Sequence, residues 1–322
     1  MGASASIPAG VPSYAVDYAP MVYLYTGETY FPSDLGAQLT NTQPEVNFTV
    51  VNGAPNPLTL DNLDQLNTYG GKSVYLSSKQ DPATNPSWLN GVVPDSVGKT
   101  NGAVSCGIIV NDHGAGLVDV FYMYFYAFNY GGFYFGQDVD LHVGDWEHNM
   151  VRFMNGQPTG LWYSQHSNGE AFTYDATEKY NGGLRPVAYS GNGSHAVYAT
   201  SGTHDHTIPN FNLPVGPIED YCDKGKIWDP TLSAYYAKYD ANTKTFSAYD
   251  DSTPLNWLNF LGEWGDQAFP QTDPRQSCPG NISLLCKWSG GPTGPYDKQL
   301  NRTNICPDNG NACIVRPFLT AK

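Results

Sequence analysis

The sequence predicts an all-β fold, a β-sandwich with long loops and a disulfide-stapled C-terminal region. Three observations carry that expectation. Aromatic residues make up 14% of the 322 residues, 23 of them Tyr, while only 14% are charged, which is too few for charge-laced helical bundles or coiled coils. The chain is punctuated by 34 Gly and 24 Pro, the residues of turns and short strands. The stretch 117–130 is almost continuously apolar, as in a strand buried on both faces. Asp119 and Asn129 interrupt it, so it does not read as a membrane-spanning helix.

The other elements follow in order. Residues 14–32 read as a strand and a turn. Residues 33–100 are rich in Asn, Pro and Leu with little periodicity, and a short helix is expected over 61–66. Asn111-Asp112-His113-Gly114 reads as a turn before the long strand. Further strands are expected over 145–153, 160–166, 171–174, 184–189 and 195–200, the middle pair at hairpin spacing. Residues 207–275 mix Pro turns with Tyr and Trp, and 276–316 form a Gly/Pro/Cys-rich tail. Trp146 is expected in the core. No repeat and no linker divides the chain. Residues 14–322 are therefore read as one domain, behind a disordered or vector-derived leader over 1–13.

The formal net charge is -14. Such a chain repels nucleic-acid phosphates and gains nothing from an anionic leaflet, so neither is an expected partner. Six Cys allow 15 pairings. Five lie between Cys222 and Cys313, none at zinc-site spacing. With sequons at Asn47, Asn192, Asn281 and Asn301, they favour a secreted glycoprotein, and a monomer is expected.

The densest polar cluster runs from Asp138 and Asp140 through His142, Asp145, Glu147 and His148. On a strand, Asp145 and Glu147 share a face, Trp146 and His148 take the other, and His142 enters from the preceding turn. Two carboxylates and an imidazole suit a divalent cation, Mg²⁺, Ca²⁺ or Mn²⁺, with His142, Asp145 and Glu147 as ligands. The same cluster equally suits a hydrogen-bonded brace. Gly144 would let the backbone approach an ion or turn sharply. Sheet neighbours are expected to bring His166 and His195 towards Asp145 and Glu147. His204 and His206 are read as part of a loop. Asp145 and Glu147 also have the spacing of a glycosidase acid/base pair.

Asp17-Tyr18-Ala19-Pro20-Met21-Val22-Tyr23-Leu24 and Tyr30-Phe31-Pro32-Ser33 resemble the N-terminal signature of the vacuolar protein sorting-associated protein sixty-two family. Val143-Gly144-Asp145-Trp146-Glu147-His148, Tyr163-Ser164-Gln165-His166, Gly193-Ser194-His195-Ala196, Trp264-Gly265 and Gly291-Pro292-Thr293-Gly294-Pro295 continue it in order. The resemblance implies no chemistry, and it suggests a fungal source. More distantly, residues 142–148 are similar to the Gly-His-Arg-His-Asp-Trp-Glu motif of necrosis- and ethylene-inducing peptide-like proteins. That resemblance implies a divalent-cation site in a β-sandwich, carried onto His142, Asp145 and Glu147. The motif's second His is Gly144 here, and Asn129 or Asp138 would stand for an upstream Asp. Members of that family bind sugar head groups of plant sphingolipids and damage membranes. Only the metal site is carried over.

Three functions are compatible with these residues. The first is a secreted, metal-containing β-sandwich binding cell-surface glycans or glycolipid head groups. The second is a hydrolase of polysaccharide or phosphoester, with Asp145 or Glu147 as base and His166 or His195 as acid. The third is a structural or interaction protein.

Overall fold

The computed structural model describes residues 7–205 and 215–319. The expectations for residues 1–6 of the leader and for His206 fall outside them. Val11 already packs against the core. Segment 14–32 is a one-turn helix, α1 (Tyr14–Asp17), and a short strand, β1 (Met21–Tyr23). Between them stands Pro20, which has no N–H to continue a helix. Asp34 then caps α2 (Leu35–Asn41), its Oδ1 accepting the Ala37 N–H at 2.7 Å. A small sheet follows, made of β2 (Thr42–Val46), β3 (Thr49–Val50) and β4 (Tyr75–Ser78). The helix expected over 61–66 is a 3₁₀ turn, Leu63–Thr68.

Two long strands come next, β5 (Cys106–Gly114) and β6 (Leu117–Asn129). The turn expected over 111–114 is the end of β5, and the actual turn is Ala115-Gly116, both at positive φ. A hairpin, β7 (Phe133–Tyr134) and β8 (Gln137–Asp138), leads into β9 (His142–Met154). Asn155-Gly156, at φ 51° and 75°, connects β9 to β10 (Gln157–Gln165), as hairpin twist demands. His166-Ser167 connects β10 to β11 (Asn168–Thr173). The remaining strands are β12 (Val187–Ser190), β13 (Val197–Tyr198), β14 (Gly202–Asp205), β15 (Glu219–Cys222), β16 (Ile227–Trp228), β17 (Ala234–Asp240), β18 (Thr245–Ala248) and β19 (Val315–Arg316). His204, expected in a loop, lies in β14.

The central sheet has eight strands in the order β18-β17-β5-β6-β9-β10-β11-β19, and a second has four, β13-β12-β1-β16. Side-chain alternation along β6 separates two cores. Val118, Val120, Tyr122, Tyr124 and Tyr126 face the four-stranded sheet with Val22, Ala188 and Trp228. Phe121, Met123 and Phe125 face the opposite way, into a layer built by α2, the 3₁₀ turn, Trp257 and Trp264. The sandwich is thus covered on its second face by loops and short helices. Trp146 is core, at 3% exposure. Disulfides Cys278–Cys286 and Cys306–Cys313 staple the C-terminal region, and Cys106 and Cys222 are buried outside both bridges. Among the described residues, no helix is long and apolar enough to cross a membrane.

Candidate functional site

β9 pairs antiparallel with β6, with Tyr126 opposite Asp145 and Tyr124 opposite Glu147. Both carboxylates therefore point towards the four-stranded sheet, and both are buried. Asp145 meets His195, in the turn before β13. His195 Nδ1 donates to Asp145 Oδ2 at 2.9 Å, and Nε2 donates to the Tyr30 carbonyl at 2.9 Å. Both nitrogens face oxygens, an arrangement that favours the imidazolium. Burial opposes that charge, but Asp145 and Glu28 outweigh it and raise the His195 pKa. The ring stacks on Tyr126 with centroids 3.7 Å apart. This buried ion pair ties β9 to the loop carrying Tyr30 and to the turn at 191–195.

Glu147 has different surroundings. The ladder between β9 and β10 ends at Asn149 opposite Tyr163, and beyond it the strands part. The His148 N–H donates to Ser164 Oγ at 2.7 Å. Glu147 reaches across the gap, accepting from the Ser164 hydroxyl and, at 3.2 Å, from the His166 N–H. Burial and the neighbouring Asp145 push its pKa up to about 7. His166 stands at φ 53° in a two-residue hairpin loop, a place that favours Gly. Its Nε2 donates to Asp220 Oδ2 at 2.8 Å, and Asp220 also accepts from Ser194 and Tyr198. Burial lowers the His166 pKa, but Asp220 more than compensates and holds it at about 9.

A cleft of about 220 Å³ opens at the parting of β9 and β10. Its floor is Trp146, Glu147, His148, Trp162 and Ser164. One rim is His166, Ser167 and Asn168, and the opposite wall is the segment from Thr293 to Pro307. That wall was invisible to sequence reasoning, although the Gly-Pro stretch at 291–295 marks where it begins. Arg302 anchors it. Arg302 is 3% exposed, and its Nη2 donates to His148 Nε2 at 2.7 Å and to the Lys298 carbonyl at 3.0 Å. A larger cleft of about 400 Å³ lies beside β2 and β3, but Lys79 is the sole charged side chain lining it, and its Nζ donates to the Thr40 carbonyl at 2.7 Å. The chemistry is concentrated at Glu147.

The structure thus brings His195 onto Asp145 and the His166 backbone onto Glu147. His142 stands apart. It lies within β9 and not in a preceding turn, an odd number of residues from Asp145 and Glu147, and its Nδ1 donates to the Gly144 carbonyl at 2.7 Å. Among the described residues, no three His, Cys, Asp or Glu side chains are grouped to hold an ion. The arrangement does not fit the ligand set His142, Asp145 and Glu147. Gly144, at φ 68°, serves packing: a Cβ there would lie 2.1 Å from the Trp264 carbonyl oxygen. Asp145 does not line the cleft, so Asp145 and Glu147 do not face one ligand as a pair. Asn129 Nδ2 donates to the Asp140 carbonyl, and Asp138 accepts from Tyr130 at 3.2 Å.

Residues 113–274 match the family model for vacuolar protein sorting-associated protein 62. The putative vacuolar protein sorting-associated protein TDA6 of Saccharomyces cerevisiae is 38% identical, over 93% of this chain and 69% of its own length. The chain belongs to the vacuolar protein sorting-associated protein 62 family. The yeast family member of that name is 34% identical, over 92% of this chain and 68% of its own. Solved structures similar to this family member include Necrosis and Ethylene inducing Protein 2 from the causal agent of cocoa's witches' broom disease (16% identity, 61% of this chain, 72% of that one, TM-score 0.28). Another is NLPPya in complex with mannosamine (12%, 76%, 80%, TM-score 0.31). Superpositions that loose carry no functional weight, so the function rests on the cleft.

Proposed function

We propose that this family member is a carbohydrate-binding protein that holds one polyhydroxylated ring in the cleft over Glu147. The observation that carries the reading is the make-up of the cleft. Ser164, Ser167, Asn168, Thr293 and Gln299 bring neutral polar side chains around a buried carboxyl, with Trp146 and Trp162 also lining the cleft. Burial and Asp145 raise the Glu147 pKa, which favours a neutral carboxyl at the floor of the cleft. The volume of about 220 Å³ falls below the ~300–1,000 Å³ of sites for larger organic ligands. One sugar ring suits it better than an extended chain. In this reading the Asp145–His195 pair braces the floor and does not touch the ligand.

Saturation-transfer NMR and calorimetry with glucose, mannose and glucosamine test this. Wild type is expected to bind at least one of them. The variant Asn168→Ala changes one rim side chain. It is expected to bind about tenfold more weakly, the loss of one or two hydrogen bonds. Absence of saturation transfer from wild type to every sugar would refute the reading.

A further inference from the structure

The chain as a whole is acidic, with a formal net charge of -14. The cleft does not share that balance. Its two carboxylates already have partners. Glu147 accepts from Ser164 and from the His166 N–H, and Asp297 lies 3.6 Å from Lys72. Its two basic side chains on the 293–307 wall, Lys298 and Arg302, have no carboxylate within ion-pair distance among the described residues. Arg302 spends its guanidinium on His148 and on the carbonyls of Lys298, Gln299 and Ile305. It thereby places a buried guanidinium behind the wall, with Asp119 and Asp308 acting on it from beyond ion-pair distance. Lys298 is half-buried, and no protein group is hydrogen-bonded to its Nζ among the described residues. A half-buried ammonium with no direct carboxylate partner thus faces the cleft, with a buried guanidinium behind it, and Glu147 and Glu263 act on the ammonium only from beyond ion-pair distance.

We infer that the ring bound in this cleft carries an anionic substituent, a carboxylate or a phosphate, which Lys298 pairs with while Arg302 adds attraction from behind. The inference rests on the carbohydrate reading and narrows its ligand class to anionic hexoses. The neutral side of the ring faces Glu147, Ser164 and Asn168. The negative surface of the remaining molecule slows the approach of such a ligand without weakening the short-range pair, because exposed distant charges are screened within ~8–10 Å at ordinary ionic strength.

Calorimetry with glucose, glucuronate, glucose 6-phosphate and inorganic phosphate tests it, with wild type, Lys298→Ala and Lys298→Gln. Wild type is expected to bind glucuronate, glucose 6-phosphate or both at least about tenfold more tightly than glucose. Which of the two is preferred distinguishes a sugar acid from a sugar phosphate. Both Lys298 variants are expected to erase that preference. Raising the salt concentration should shrink the preference in wild type alone. Equal or tighter binding of glucose would overturn the inference and leave the carbohydrate reading standing. Inorganic phosphate binding as tightly as glucose 6-phosphate would also overturn it, since the ring would then contribute nothing. Failure of all three sugars to bind would remove both.

Discussion

Asp266 follows the core residues Trp264 and Gly265, and its Oδ1 accepts the Ser78 N–H at 3.3 Å while Oδ2 is buried with no hydrogen-bond partner. Burial pushes its pKa up to about 7. A carboxyl whose pKa rises on folding gives stability that is fully present below the ordinary Asp range and is lost as pH rises through about 7. Asp266→Asn keeps the acceptor and carries no charge to bury. Its stability relative to wild type is expected to be greater at pH 8 than at pH 5, by on the order of 1–3 kcal/mol. An equal difference at both pH values would rule the burial penalty out. Gly144 makes the opposite case. Gly144→Ala places a Cβ 2.1 Å from the Trp264 carbonyl oxygen at φ 68°, and chemical denaturation should show a loss of at least about 2 kcal/mol. From the sequence, this glycine looked like room for an ion or for a sharp turn. Its reason to be Gly is a carbonyl 120 residues away, which no local pattern announces. The Asp145–His195 pair was more legible, because strand alternation put Asp145 on an inward face and the turn before β13 put a His at sheet level.

Strands β9 and β10 give the cleft its floor, a segment without regular structure gives it its wall, and side chains of the regular elements hold that wall in place. Asp119 of β6 is fully buried and takes both Nε and Nη2 of Arg152 on β9 at 2.7 Å, plus His113 of β5 at 2.9 Å. Arg152 in turn donates to the carbonyls of Arg302 and Thr303 at 3.0 Å. One ion pair thus clamps the 293–307 wall to the sheet. Burial works against the Asp119 charge, but Arg152 and His113 outweigh it and hold the pKa below the ordinary range. The stabilisation is therefore present above the ordinary Asp pKa and lost as pH falls through the lower folded value. Asp119→Asn leaves a buried guanidinium without its counter-charge and should cost about 3–5 kcal/mol. Hydrogen exchange in that variant is expected to quicken first at 298–305, with sugar binding lost alongside. Uniform quickening across the sheet would contradict the clamp. The β6 and β9 strands were legible because apolarity and alternation are local. The wall was not, because its Gly/Pro/Cys composition specifies only a loop, and its position depends on Arg152 and Arg302.

Over the whole molecule, the sandwich follows from composition, since a chain this aromatic and this poor in charge has strands to bury and few helices to decorate. Its third layer, built from α2, 3₁₀ turns and Trp257, escaped the pattern because seven-residue and four-residue elements are shorter than the periods that reveal them. The same layering sets how the molecule responds to pH. Asp119 and Asp229 are held below the ordinary Asp range, against burial, by Arg152 with His113 and by Arg185. Glu147, Glu263 and Asp266 are each pushed up to about 7, chiefly by burial. The first pair gives stability that acid removes below the ordinary carboxylate range. The second set gives stability that is complete below the ordinary carboxylate range and drains away as pH climbs from there through about 7. The melting temperature is therefore expected to peak on the acidic side of neutrality and to fall towards both pH 3 and pH 8. A net charge of -14 also disfavours the compact state at high pH, and this repulsion would mimic the alkaline arm. Salt separates the two causes. Screening by 0.5 M NaCl should relieve repulsion between exposed charges and leave the burial of three carboxylates untouched. A calorimetric profile from pH 3 to pH 8 should thus keep its alkaline decline in high salt and lose part of it in Asp266→Asn. A decline that vanished in salt would assign it to surface charge and leave the buried carboxylates with ordinary pKa values.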